Sequence, residues 1–159
     1  MKKTRIALAL MLGIVLTAGL ACSVLYETEV KMVGKYMEPT IMEGQVCVFS
    51  SRDYVLSNPE RREVVIFTID DNSLILRVIG LPGETIIIED GAVYVDGTTL
   101  NESYLPMGNI TESDTKEFKV LEDFYFLMGD NRMQSYDSRD FGSIPLDTIE
   151  SKALHCEDK

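Results

Sequence analysis

Positive charge is scarce in this sequence. Its 159 residues carry 15 Lys and Arg against 26 Asp and Glu, a net charge of -11. Lys2, Lys3 and Arg5 sit at the very start, so the rest of the chain holds 12 basic and 26 acidic groups, or -14. A surface of that sign argues against a nucleic acid or an anionic lipid headgroup as partner of the folded part, since both need clustered cations. It reads as a solubilising acidic surface. Metal ligands are equally sparse. There are three cysteines, Cys22, Cys47 and Cys156, and one histidine, His155. No CxxC or Cys/His spacing occurs, so neither a zinc site nor any other metal or cofactor is expected. Cys47 lies in an apolar stretch and reads as a small core residue. A Cys47–Cys156 disulfide outside the cell is left open by the sequence. His155 falls in a polar tail and reads as an exposed histidine with no role. A second domain boundary, an internal repeat and a low-complexity tract are also lacking. The length fits one domain with a moderate core.

What the chain does have is a long apolar run. Ile6 to Leu25 contains no charged residue over 20 positions. As a helix rising about 1.5 Å per residue it spans roughly 30 Å, the thickness of a bilayer core. The basic tail 1–5 precedes it, and Glu27 and Glu29 follow. The positive-inside rule then puts the N-terminus in the cytoplasm and residues 27–159 outside, on a single-pass anchor at the cell membrane. The competing reading is a cleavable signal peptide, with Gly19-Leu20-Ala21 as small residues at the right spacing. Against it, the run exceeds the usual apolar region of about 7–15 residues. A lipoprotein cysteine at Cys22 fits less well, because Gly19 stands where a large aliphatic residue belongs.

The remainder reads as strands and tight turns. Val46–Phe49 is a short apolar run. Glu63–Ile69 and Ser73–Gly80 are rich in β-branched residues. Pro82-Gly83 predicts a type II turn, with Pro fixing φ at one central position and Gly supplying positive φ at the next. Thr85–Glu89 and Ala92–Asp96 flank Asp90-Gly91, and Asp96-Gly97 follows; both pairs are hairpin signals. Residues 101–115 are polar and predict a loop. Phe118–Leu121 and Phe124–Met128 predict the last long strands. The pattern is that of a mainly β domain with a coiled antiparallel sheet. Asn101-Glu102-Ser103 and Asn109-Ile110-Thr111 match the N-glycosylation pattern, a short signal with many chance hits.

Three segments, in this order, carry a family resemblance. They are Tyr36-Met37-Glu38-Pro39-Thr40, Arg77-Val78-Ile79-Gly80-Leu81-Pro82-Gly83-Glu84, and Gly129-Asp130-Asn131-Arg132-Met133-Gln134-Ser135-Tyr136-Asp137-Ser138-Arg139. With the apolar run ahead of them, the chain resembles the type I signal peptidases over nearly all of its length beyond Val30. The resemblance implies the signal peptidase β-fold behind one transmembrane helix, in the compact form of Gram-positive bacteria, with a retained anchor and a cleft near the outer membrane surface. It also implies a serine nucleophile and a lysine base. The serine belongs at Tyr36 and the lysine at Leu76.

Both replacements bear on the chemistry. A Ser-Lys hydrolase needs an alcohol beside a lysine that apolar surroundings keep neutral. The Tyr36 phenol oxygen sits several ångströms further from the backbone than a serine hydroxyl. Leu76 cannot accept a proton. No replacement base is evident, and if the segment is extended Lys35 points away from the cleft. Gly34 falls where relatives carry a residue that helps the oxyanion, and glycine offers no side-chain donor. Met37, Pro39 and Thr40 carry the first motif past the dyad position. Ser135 matches the hydroxyl that supports the lysine and here would face Leu76. Asp130, Arg132, Asp137 and Arg139 match charges that form structural pairs, with Arg77 a member. Met133-Gln134 departs from the usual acidic-asparagine pair, and Phe141 replaces a common tryptophan.

The expected function is therefore a non-catalytic, peptide-binding or chaperone-like relative, of the kind that assists pilus assembly in Gram-positive bacteria. Its partners would be a pilin precursor or a pilus sortase. Two alternatives stand beside it: a working or variant signal peptidase that cleaves exported preproteins, and a structural membrane component whose cleft Tyr36 plugs.

Overall fold

The computed structural model describes residues 27–51, 57–106, 111 and 114–157. The run Ile6–Leu25 lies outside the described residues. Among the described residues, no helix is long and apolar enough to cross a membrane.

The chain is almost entirely antiparallel β. Its strands are β1 (Glu27–Lys31), β2 (Val46–Ser50), β3 (Val64–Ile69), β4 (Asn72–Gly80), β5 (Thr85–Glu89), β6 (Ala92–Val95), β7 (Thr98–Thr99), β8 (Lys116–Lys119), β9 (Phe124–Met128), β10 (Ile144–Pro145) and β11 (Ile149–Glu157). A single-turn helix, α1 (Ser138–Phe141), follows β9. A seven-stranded sheet runs in the order β1-β2-β11-β3-β4-β9-β10, and a four-stranded sheet in the order β7-β6-β5-β8.

The turns follow from residues that accept positive φ. At Asp90-Gly91 φ is 50° and 80°, and at Asp96-Gly97 it is 48° and 77°, the left-handed pair that matches the twist of a hairpin. The β3–β4 hairpin uses Asp70-Asp71, at 48° and 62°, without a glycine. Aspartate tolerates this region better than most residues, yet two aspartates announce a turn less clearly than Asp-Gly does.

β9 separates two cores. Tyr125 and Leu127 enter one with Phe49, Phe67, Leu76 and Val78. Phe126 and Met128 enter the other with Ile79, Ile86, Ile88 and Val93. The alternation is the period of a strand buried on both faces, hence the unbroken Phe-Tyr-Phe-Leu-Met. Gly80 lets the sheets close: a Cβ there would lie 2.8 Å from Ile86 Cδ1 and 2.9 Å from Phe126 Cβ.

The structure departs from the sequence reading in three places. The last strand before β9 is Lys116–Lys119, two residues earlier than Phe118–Leu121. Its register is set by Phe118 opposite Ile86, and the chain turns back from Leu121, whose carbonyl accepts the Phe124 N–H. β1 and β10 were not expected at all. β11 replaces the supposed polar tail: His155 stands in it opposite Val48. Its sequence has no clear period-2 pattern, so pairing with β2 and β3 on either side makes the strand. Cys156 pairs with Cys47 in that register, and the two form a disulfide across 109 residues of chain. In the chain-entropy view a closure of that length contributes about 4–5 kcal/mol by restricting the unfolded state.

Gly80→Ala should destabilise the domain by about 1–3 kcal/mol, because the methyl group meets the fully buried Ile86 side chain and Phe126 Cβ, which is fixed to its backbone. Urea unfolding followed by tyrosine fluorescence is the check, since the chain has no tryptophan. An unchanged midpoint would mean that the sheets can separate freely at this point.

Candidate functional site

The first motif forms no strand. Residues 34–41 make bends and turns, so the extended-strand argument about Lys35 does not apply, although Lys35 is exposed. Gly34 has φ 85°. The Tyr36 ring folds back onto it: a Cβ at Gly34 would lie 2.7 Å from Tyr36 Cε2 and 3.2 Å from the phenol oxygen. Any side chain at 34 would expel the ring. A hydroxyl residue at 34 and the Tyr36 ring in its present place are therefore incompatible. Met37 is fully buried and anchors the turn in the core, and Ile41 N donates to its carbonyl. The Glu38–Pro39 peptide is cis and Pro39 is exposed.

Asp130 holds the turn to the sheet. It is fully buried. Arg77, on β4, donates to it from Nε at 2.8 Å and from Nη2 at 2.5 Å. Thr40 donates its hydroxyl to the same carboxylate. The third Arg77 nitrogen donates to the Arg62 carbonyl at 2.7 Å, and the guanidinium lies 4.1 Å from the centre of the Tyr104 ring. All three recognised segments thus meet at one carboxylate. Next to it, Asn131 bonds twice to the motif turn, from its N–H to the Tyr36 carbonyl at 2.9 Å and from Nδ2 to the Lys35 carbonyl at 3.0 Å.

The loop 129–139 is folded by its own side chains. Asp137 is buried, accepts from Gly129 N at 2.9 Å, and takes Arg139 Nε at 2.8 Å and Nη2 at 2.9 Å. It also caps α1, with Asp140 closing the reciprocal box. Ser138 Oγ accepts from Leu127 N at 2.9 Å. Ser135 Oγ and Arg139 Nη1 are buried and have no hydrogen-bond partner among the described residues.

Arg132 is buried and donates to the Gly129 carbonyl at 3.1 Å, to Thr111 Oγ1 at 2.8 Å and to both carboxylate oxygens of Glu102. Burial alone would lower its pKa; the hydrogen bonds and charge of Glu102 outweigh that and raise it. Burial, then the charge of Glu102, pushes the Tyr104 phenol well above its ordinary value, so it stays protonated and donates to Glu102 at 2.8 Å. Glu102, Tyr104 and Thr111 were not singled out as site residues. They lie in the polar 101–115 stretch, which has no periodicity to reveal a buried role. Thr111 belongs to the second glycosylation match, whose Asn109 lies outside the described residues, and its hydroxyl is occupied by Arg132.

Tyr36 and Leu76, where the sequence reading expects the dyad, are both placed relative to Gly129. Arg77 pairs with Met128 and Val78 with Leu127, so the register carried one residue further sets Leu76 opposite Gly129. Directly opposed residues share a face. A Cβ on Gly129 would point at Ser135 Oγ, 2.1 Å away, and at the Tyr36 carbonyl, 2.5 Å away. The Ser135 hydroxyl and the Tyr36 backbone are therefore neighbours of Gly129, which the extended register sets across from Leu76. Leu76 is only 1% exposed and packs in the main core. At its place there is no group that can take a proton.

A groove of about 110 Å³ opens beside Tyr36, between Val30–Val33 and Ser73–Ile75, with Ile66 in its wall. Both sides are strand edges. β1 ends the sheet order. β4 pairs with β9 only from Arg77 onward, so among the described strands its residues 73–76 are bonded to β3 alone.

Comparisons with known proteins agree with this geometry. The profile of the family described as signal peptidase, peptidase S26, matches residues 4–156. The chain is 37% identical over 127 residues to signal peptidase I V of Bacillus subtilis, covering 72% of this chain and 76% of that one. It is 35% identical over 126 residues to a probable signal peptidase I-2 of Synechocystis, covering 74% of this chain and 57% of the relative's length. A crystal structure of a signal peptidase I from Enterococcus faecalis superposes with a TM-score of 0.53 at 31% identity, over 60% of this chain and 97% of that one.

Asp130→Asn should cost about 3–5 kcal/mol, the scale for removing one member of a buried ion pair. The amide nitrogen would face either a guanidinium or the Thr40 hydroxyl. Chemical denaturation of wild type and variant measures the loss, and a change below 1 kcal/mol would show that the turn is held elsewhere.

Proposed function

The chain belongs to the signal peptidase family, peptidase S26, and we propose that this member holds exported peptides without cutting them. The observation that carries the proposal is Leu76, an aliphatic side chain buried in the core at the position where the resemblance expects the base. Without a base, the alcohol or phenol beside it is not activated. Losing one member of a nucleophile–base unit costs on the order of 10⁴–10⁶ in rate, or roughly 5–8 kcal/mol of transition-state stabilisation. Tyr36 adds a ring where a scissile carbonyl would have to approach the backbone.

Binding has different requirements. An extended peptide adds to a sheet edge through main-chain hydrogen bonds, and pockets choose its alternate side chains. The groove between β1 and the start of β4 supplies two edges and an apolar lining, and neither depends on a serine or a lysine. In this reading Ile6–Leu25 is a single-pass anchor, the N-terminus is cytoplasmic and residues 27–159 face outward. The partner is a pilin precursor or a pilus sortase, as for the non-catalytic signal-peptidase-like proteins of Gram-positive pilus clusters. Crosslinking in a pilus-bearing host tests the partner; absence of both proteins from the adducts would remove it.

The second reading, a working signal peptidase I, is favoured by the names of the relatives. A preprotein cleavage assay in detergent micelles separates the two. The wild type should be inert, and Tyr36→Ser with Leu76→Lys should gain measurable cleavage. Cleavage by the wild type would overturn the proposal.

A further inference from the structure

We propose that the groove beside Tyr36 selects extended peptides carrying a carboxylate side chain, recognised by Lys31. The inference rests on the peptide-holding reading and adds the chemical class of the ligand. Among the described residues that line the groove, Lys31 is the only ionisable one besides the Tyr36 phenol; the rest are apolar apart from Ser73. It is the last residue of β1, opposite Val46 on β2, and it is exposed. No hydrogen bond or ion pair joins its ammonium to any described residue. Nearby acids do not use it. Glu29, two residues earlier on the same face, has an interaction of its own, and Glu43 accepts the Gly34 N–H at 3.4 Å. In a chain of net charge -11, a free cation at the rim of an apolar cleft is out of keeping with its surroundings.

The strand period says which ligand residue meets it. Side chains alternate through the end of β1 and the two residues after it: Val30 packs against the core and Met32 is buried, while Lys31 and Val33 are exposed. A peptide paired to β1 alternates in step. Its inward residues meet the apolar wall at Met32, Leu74 and Ile75. Its outward residues lie beside Lys31 and Val33. An opposite charge across a strand pair is favourable and a like charge is not. An aspartate or glutamate at the outward position next to Lys31 therefore sets register and orientation, and an arginine or lysine there is rejected.

The test uses the full-length chain in detergent micelles at low salt. The probes are three fluorescein-labelled, twelve-residue peptides of alternating Val and Thr that differ at one outward position, filled by Asp, Asn or Lys; each outward position is tried in turn. At one position the Asp peptide should bind about two- to fivefold more tightly than the Asn peptide, and the Lys peptide more weakly than either. Lys31→Glu should reverse the order, and Lys31→Gln should abolish it while the Asn peptide still binds. Equal binding of all three peptides at every position would overturn the inference and leave the peptide-holding cleft standing. If no peptide binds, both fall. An unchanged order in Lys31→Glu would locate the charge preference elsewhere and also overturn the inference.

Discussion

The carboxylate of Asp130 is the constraint on which the site depends. It sits at zero exposure, bonded to two nitrogens of Arg77 and to the Thr40 hydroxyl. A charge taken that far out of water is tolerated only when its lone pairs are matched by donors. Each of the three recognised segments supplies one participant, so none can drift without leaving a buried charge unpaired. The segments are thus kept by folding, whether or not any bond is ever cut. The outline of the site is thus fixed independently of any chemistry done there.

Leu76 and Tyr36 are under no such constraint. Leu76 is 1% exposed among Val65, Val78 and Leu127. A lysine in those surroundings must be held neutral against its own preference for water. Leucine removes that cost and fills the space with carbon. At Tyr36 the ring found room because Gly34 has no side chain to oppose it. The Ser135 hydroxyl is buried and, among the described residues, has no hydrogen-bond partner, a cost of about 1–3 kcal/mol for a group of that kind.

Most of the sheet was legible in the sequence. The apolar runs of β2, β3, β4 and β9 and the Asp-Gly turns between β5, β6 and β7 are local signals, and local signals survive in a folded chain. β1, β10 and β11 were not legible, because their strand character comes from pairing with partners far along the chain, not from their own pattern. In the site, Tyr36 and Leu76 could be located by comparison with motifs. The turn that carries Tyr36 could not, since neither its cis proline nor its left-handed Gly34 is written in a periodicity. Glu102, Tyr104 and Thr111 were hidden for a related reason. A polar residue in a polar stretch predicts solvent, yet here the buried guanidinium of Arg132 calls these three inward.

The separation between holding and cutting follows from where each function resides. Cutting needs two side chains at atomic distances from a carbonyl, and one substitution removes it. Holding an extended chain uses the backbone of strand edges, which substitutions scarcely alter, together with a lining that only several changes would spoil. β1 stays at the end of the sheet, and the first residues of β4 stay beyond the reach of β9. An open edge of this kind invites pairing with any passing strand. A charged residue such as Lys31 limits that promiscuity, and limits it in one direction: it repels cationic strands and admits anionic ones. The feature that protects the edge is then the same feature that chooses what may lie along it.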